Sequence, residues 1–465
     1  MKSVTTLGGL LVAGSAILLG QFSADAVPGG KGGDGGAAGS IGPDVIVGAL
    51  PDIAKFGMVG GYTAYAVATT SCNIGDEWLA WYANTNQHPV IPQNMYRIKD
   101  GKIMQIGQSW LKHGFCALQQ NLCGTCQPAG SGCPSNLGVG CSDPYSSSLN
   151  GQQSNLGPRS QVNAFTGYYP YPWSAPPAPG TIGRRLVVLT DDLKPNLNIG
   201  ATYYCEAMYV QSQDAAAGNG WNNASYRKFN VGTLTSTGYT LSTTGPTYQQ
   251  KPAINAWAAE FNDVEIDVVA DAEGGLFHAG ARAIENADGT WTYYYAVFNL
   301  NSDFSGAGFS VPASGTISNE GFYAVAYHSG EPYSSAPWEI TVGSSDVTWY
   351  VGSTYAEDPN ANALRWGTMY NFWFTSDAAP AQGEVTLATF KNDGAVTYST
   401  IVPGGPPPVP GDLNGDGFVN GADLAILLGC WGEVTDSTCV PSDLNQDGLV
   451  NGADLATLLS DWTGG

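Results

Sequence analysis

Residues 411–432 read GDLNGDGFVNGADLAILLGCWG, and residues 442–463 read SDLNQDGLVNGADLATLLSDWT. This is one unit written twice: Asp412 recurs as Asp443, 31 residues further on. Repetition of this kind marks a supersecondary unit whose copies bury their apolar faces against each other. In the first copy, oxygen-bearing groups fall at Asp412, Asn414, Asp416, the backbone carbonyl of Phe418, Asn420 and Asp423. In the second they fall at Asp443, Asn445, Asp447, the carbonyl of Leu449, Asn451 and Asp454. An apolar run follows each set. Leu424, Leu427, Leu428 and Trp431 sit at i, i+3, i+4 and i+7, one stripe of a helix, and Leu455, Leu458, Leu459 and Trp462 repeat it. Each copy therefore reads as a loop followed by a helix.

The oxygens occupy positions 1, 3, 5, 7, 9 and 12 of an EF-hand-type loop. Calcium is a hard cation that takes six to eight oxygens in a flexible shell, and short Asp and Asn side chains at alternate positions wrap it in one tight turn. Gly417 and Gly448 stand at position 6, where the turn needs a residue tolerant of positive φ. Position 12 is Asp in place of Glu. Residues 411–465 thus resemble the type I dockerin family. The resemblance implies two calcium sites and docking onto a cohesin-like module in a secreted, often polysaccharide-degrading, assembly. The chain departs from the best-known dockerin pattern. Gly421-Ala422 and Gly452-Ala453 precede the last ligands where hydroxyl residues are common, and the module has no Lys or Arg. The calcium ligands carry over position by position, whereas the docking partner does not. The identical NGAD in both copies permits two symmetry-related binding modes.

The rest of the chain reads as exported and β-rich. Residues 1–26 have a basic Lys2, an apolar core at 7–19 and an Ala24-Asp25-Ala26 cleavage site, so a signal peptide cut after Ala26 is expected. Residues 27–42 form a Gly-rich leader, and 402–410 (VPGGPPPVP) a stiff Pro-rich linker. Charged residues make up 12% of the chain, and Gly, Ser, Thr, Asn and Tyr are abundant, a composition of extracellular β-proteins. The net charge of −22 argues against nucleic acid, whose binding needs Lys and Arg. No later segment has the length or apolarity of a membrane helix.

Between leader and linker the pattern predicts antiparallel, sandwich-like β-bodies, a Cys-containing one at 43–230 and a second at 231–401, with a single large sandwich as the alternative. Strands are expected at 61–69, 78–82, 95–106 (with a turn at 99–101), 185–189 and 201–210, then at 291–299, 321–327, 347–351, 370–375 and 384–390. Nine cysteines in an exported chain read as disulfides. Cys430 and Cys439 flank the spacer between the repeats and are expected to pair, stapling a module too small to rely on its core. Cys72, Cys116, Cys123, Cys126, Cys133, Cys141 and Cys205 remain. Their odd number leaves one unpaired, and Cys123-Gly-Thr-Cys126 has the spacing of zinc and redox sites.

No complete catalytic constellation stands out. EFNDVEIDVVAD at 260–271 places Glu265, Asp267 and Asp271 at period two, on one strand face. Its EID resembles the nucleophile end of laminarinase-type jelly-roll glycosidases, which carry a second Glu four or five residues on. Here those positions are Val269 and Ala270, so the proton donor of a two-carboxylate mechanism is missing. The four histidines, His88, His113, His278 and His328, are scattered and read as structural. TNQHPVIPQNMYR (85–97) and QSWLKHGF (108–115) look specific but match no catalytic motif. YYPYPW at 168–173 reads either as a sugar-stacking platform or as packing over a sandwich edge. Three functions follow: a tethered extracellular binding protein associated with polysaccharide, a glycoside hydrolase, or a structural or adhesive surface protein.

Overall fold

The computed structural model describes residues 40–177, 180–404, 411–414 and 418–463. The expected signal peptide, nearly all of the leader, most of the linker, and the loop positions Asp416 and Gly417 lie outside them. The first body is built on β1 (Ile53–Val59), β2 (Tyr62–Val67), β3 (Gln93–Lys99), β4 (Lys102–Gln108), β5 (Leu111–His113), β6 (Leu186–Leu189), β7 (Thr202–Met208), β8 (Ala224–Thr235) and β9 (Gly238–Tyr248). All but β5 join one eight-stranded antiparallel sheet, in the order β9-β8-β7-β3-β4-β6-β2-β1. The expected strand at 95–106 is the β3–β4 hairpin. Asp100 (φ 51°) and Gly101 (φ 76°) supply the left-handed pair that a two-residue hairpin needs.

The second body continues with β10 (Glu265–Ala270), β11 (Leu276–Glu285), β12 (Trp291–Asn299), β13 (Gly306–Pro312), β14 (Ile317–Ala324), β15 (Glu339–Val342), β16 (Asp346–Tyr350), β17 (Thr368–Ser376), β18 (Pro380–Thr389) and β19 (Ala395–Pro403). They form two five-stranded antiparallel sheets, β10-β11-β12-β17-β14 and β15-β16-β13-β18-β19. Tyr293, Tyr295, Phe309, Trp349, Phe372 and Phe374 fill the space between these sheets. The opposite face of β12 is buried as well. Ala296 and Phe298 enter a core that also holds Tyr96, Ile98 and Ile103 of the first body. Burial on both faces explains why WTYYYAVFN is apolar without alternation.

Beside this apolar core the seam between the bodies also carries polar contacts. The buried Arg159 guanidinium donates to the carbonyls of Ser109 (2.6 Å), Gly367 (2.9 Å) and Gln93 (3.0 Å) and to Asn94 Oδ1 (2.9 Å). Asn371 donates to the Ile103 carbonyl (2.7 Å), and the Met369 amide to Gln105 Oε1 (2.7 Å). The division expected at 230/231 falls inside β8, which runs unbroken through both positions.

Cysteines staple the loop region of the first body: Cys72–Cys123, Cys116–Cys133 and Cys126–Cys141. The two members of the CxxC pair therefore go to different partners. Cys205 is the free thiol among the described residues, buried in β7.

In the C-terminal module, α1 (Gly421–Gly429) and α2 (Gly452–Ser460) each follow a loop, as the repeat predicts. Both open on a capping box: Asn420 and Asn451 cap the helix, and Asp423 and Asp454 answer the cap's amide. Val419, Leu427, Val450 and Leu458 form the core, and Cys430–Cys439 closes the spacer. The apolar stripe is only partly used. Leu428, Trp431, Leu459 and Trp462 are about half exposed, because two nine-residue helices have room to bury just one leucine each at their contact.

Candidate functional site

Two regions combine sequence features with geometry: the calcium-type loops and a cavity in the first body. In the second loop, Asp443 accepts from the amides of Asp447 (3.1 Å) and Gly448 (2.8 Å). Asp447 accepts from the Leu449 amide (2.9 Å) and from Asn445 Nδ2 (3.1 Å). The buried Asp454 accepts from the Asn445 (3.1 Å) and Asn451 (2.8 Å) amides. Asp423 repeats this in the first copy, accepting from Leu413, Asn414 and Asn420. Burial pushes both of these carboxyls upward, but the backbone donors outweigh it and hold them below the usual carboxylate range. Among the described residues no three acidic, His or Cys side chains converge as a ready-made metal cage. The donor set still suits calcium, being all oxygen and drawn partly from Asn and main-chain carbonyls. The amide contacts fix the turn while each carboxylate keeps lone pairs to offer.

The cavity, of about 280 Å³, gathers three stretches that sequence reading had left apart. His88 comes from 85–97, Lys112 and His113 from 108–115, and Tyr171 and Trp173 from 168–173. β5 is the support: Lys112 pairs with Ile91 on one side and Leu156 on the other, so its backbone is held on both edges. His88 Nδ1 lies 3.1 Å from the Tyr82 carbonyl and must donate to it. His88 Nε2 then accepts, from His113 Nδ1–H at 2.9 Å. His113 Nε2 is left with a lone pair. Burial is the main force keeping both rings neutral: His88 is lowered to about 4, and His113 to about 2 with the further help of the neighbouring His88 and Lys112. The Trp173 ring stacks on His113 with centroids 3.8 Å apart. Gly157 lies against His113, where a Cβ would come 2.4 Å from Nε2.

Lys112 is 1% exposed. Among the described residues it has neither a hydrogen-bond partner for its ammonium nor a salt bridge. Its ammonium lies 5.1 Å from the Phe115 ring centroid and 5.8 Å from that of Tyr145. Burial lowers it to about 8.

The carboxylate-rich strand offers less. Glu265 accepts from Gln382 Nε2 (2.9 and 3.1 Å) at the surface. Asp267 stays beside it on β10, its carboxyl raised by burial and then by the Glu265 charge. Asp271 does not share their face, because β10 ends at Ala270. The Asp271 side chain turns inward to accept from the amides of Glu273 and Gly275 (both 2.9 Å) and from the Ser302 hydroxyl. It locks a turn and is not placed for chemistry with the other two. The reading of all four histidines as isolated is corrected for His88 and His113, which form a pair. His328 is satisfied by Ser329 and Gln108. YYPYPW divides: Tyr169 is buried and donates to the His88 carbonyl, Tyr168 is exposed, and Tyr171 and Trp173 line the cavity.

Residues 410–460 match the type I dockerin domain. The class of protein is therefore modular, with a C-terminal dockerin domain of a family that is calcium-binding, docks with cohesin and is typical of extracellular or cell-surface proteins. No helix among the described residues is long and apolar enough to cross a membrane. No curated protein matches the chain in sequence. Solved structures of the exo-chitosanase CsxA of Amycolatopsis orientalis, alone and with PNP-beta-D-glucosamine, align over 72% of this chain at 10% identity. The alignment covers 25% of that enzyme's length, and its TM-score of 0.15 does not establish a shared fold.

Proposed function

We propose that this is a secreted modular protein held in place by its dockerin module, which folds around two calcium ions, and that its β-body presents a carbohydrate-binding cavity. The observation that carries the reading is the dockerin match at 410–460, which supports reading the body as a cargo that the module tethers. The proposed calcium ligands are Asp412, Asn414, Asp416, the Phe418 carbonyl, Asn420 and Asp423, with Asp443, Asn445, Asp447, the Leu449 carbonyl, Asn451 and Asp454 in the second loop. Calcium supplies the charge that lets clustered carboxylates share one turn. A cohesin-like partner is the proposed receptor. The cavity supports the sugar reading through its aromatic wall, its small size and its neutral hydrogen-bonding groups, including Asn84 and Asn155.

Binding is favoured over hydrolysis. None of the described residues lining the cavity is Asp or Glu, so the carboxylate pair of a glycosidase has no counterpart there. Two measurements on the mature full chain test the proposal. Calcium titration should show two sites that disappear together in the Asp412→Ala, Asp443→Ala double variant; two sites of unchanged affinity would overturn the ligand assignment. A panel of soluble polysaccharides, read by affinity electrophoresis and by release of reducing ends, should show retardation without cleavage. Release of new ends would replace this reading with the glycoside hydrolase.

A further inference from the structure

Lys112 is the anomaly of the cavity. The chain carries 39 acids for 17 Lys and Arg, so a carboxylate partner for a buried lysine is easily found. Every salt bridge among the described residues is elsewhere. An unpaired ammonium withdrawn from water costs several kcal/mol, whereas a desolvated cation–π contact returns about 2 kcal/mol. The rings of Phe115 and Tyr145, at 5.1 and 5.8 Å, therefore do not balance its burial. His88 and His113, whose protonation Lys112 opposes, are neutral and present no negative charge either.

What would balance the ammonium is an anion entering from the cavity. That anion must also suit the other walls. Tyr171 and Trp173 give the cavity an aromatic wall, with one face of Trp173 already stacked on His113. The His88–His113 pair adds a neutral, polar part of the wall. The volume of about 280 Å³ is at the small end for ligand cavities, room for a ring rather than a chain. Resting on the carbohydrate reading above, we propose that the cavity binds a sugar ring bearing a carboxylate, with Lys112 pairing the carboxylate and Tyr171 and Trp173 flanking the ring. The assignment needs no covalent step: the site binds and orients.

The test is isothermal titration of the mature, calcium-loaded full chain with glucuronate, galacturonate, their neutral parents glucose and galactose, and two ring-free or hydroxyl-free anions, acetate and benzoate. At least one uronate should bind tenfold or more tighter than its neutral parent, and tighter than acetate or benzoate by a similar factor. Lys112→Met should reduce the acid-to-neutral ratio to below twofold. Trp173→Ala, at the cavity wall, should weaken the uronate at least tenfold, which gives an independent readout if the lysine variant misfolds. Equal affinity for a uronate and its parent overturns the acidic-ring proposal and leaves the carbohydrate reading standing. Benzoate or acetate binding as tightly as the uronate overturns the sugar component. Absence of binding by every sugar overturns both readings.

Discussion

Replacing Lys112 by Met should make the β-body more stable at pH 7, which is the opposite of the usual effect of a core substitution. The magnitude follows from burial. The ammonium is lowered from 10.5 to about 8, and at about 1.4 kcal/mol per pH unit the charge destabilises the folded state by about 3 kcal/mol. Losing the contacts to Phe115 and Tyr145 gives back about 1–2 kcal/mol, so a net gain of about 1–2 kcal/mol is expected. The sign with pH is fixed. Below pH 8 the lysine is charged in both states and the full penalty applies. Between pH 8 and 10.5 the folded state loses the proton first, so wild-type stability rises with pH and the variant's advantage shrinks. The groups facing the ammonium are His88, His113 and Tyr145. The histidines are neutral throughout this range, and the Tyr145 hydroxyl is raised by burial, so none of them titrates against the effect. Urea unfolding followed by tryptophan fluorescence at pH 7, 8, 9 and 10 on both proteins measures it. A variant that is less stable by 1 kcal/mol or more at pH 7, with a pH-independent difference, would refute the reasoning and make Lys112 a structural cation–π anchor.

Arg159→Met should cost about 3–5 kcal/mol in the same unfolding assay, because it takes a donor from four buried acceptors, of which the Gly367 and Gln93 carbonyls keep Asn94 Nδ2 and the Ser109 amide, and leaves Glu331 and Glu206 without their nearby positive charge; a loss below 1 kcal/mol would mean that the seam is not held by this side chain. Cys205, fully buried and with its thiol pushed up to about 12, should resist Ellman's reagent in the native protein and appear as one reactive thiol after unfolding; rapid native reaction would place it at a surface. Glu265→Gln should leave stability within about 0.5 kcal/mol and sugar binding unchanged, since the carboxylate meets only Gln382 at the surface; a loss of any polysaccharide-cleaving activity would restore the carboxylate strand as a catalytic site.

The parts of the molecule legible in its sequence are those specified by neighbouring residues. The loop-and-helix repeat is local, and α1 and α2 begin where NGAD places their caps. WTYYYAVFN is a strand from Trp291 to Asn299, as its composition predicts. What its composition did not reveal is which layers cover it, because an apolar run buried on both faces carries no alternation to assign sides. The cavity was still less legible. Its parts lie at 88, 112–113 and 171–173, each in a stretch unusual enough to notice, and their meeting depends on β5 lying between Val90–Ile91 and Leu156–Gly157. Asp271 misled for a related reason: period two holds only while the strand continues, and it stops one residue earlier.

Two buried cations in the first body separate structure from function more clearly than any motif. Arg159 is 3% exposed and Lys112 is 1% exposed, and nothing in a charge count distinguishes them. Arg159 spends its guanidinium on three carbonyls and an amide oxygen, all fixed by the fold, with Glu331 and Glu206 as its counter-charges. Its burial is complete without a ligand, so its role is to join the two bodies. Lys112 has the burial without such partners among the described residues, and it lies at a cavity that joins a histidine pair to an aromatic wall. A fold that can satisfy an arginine with four acceptors has the means to place one carboxylate near a lysine. That none of the described carboxylates is placed there is why the missing charge is assigned to what the cavity binds.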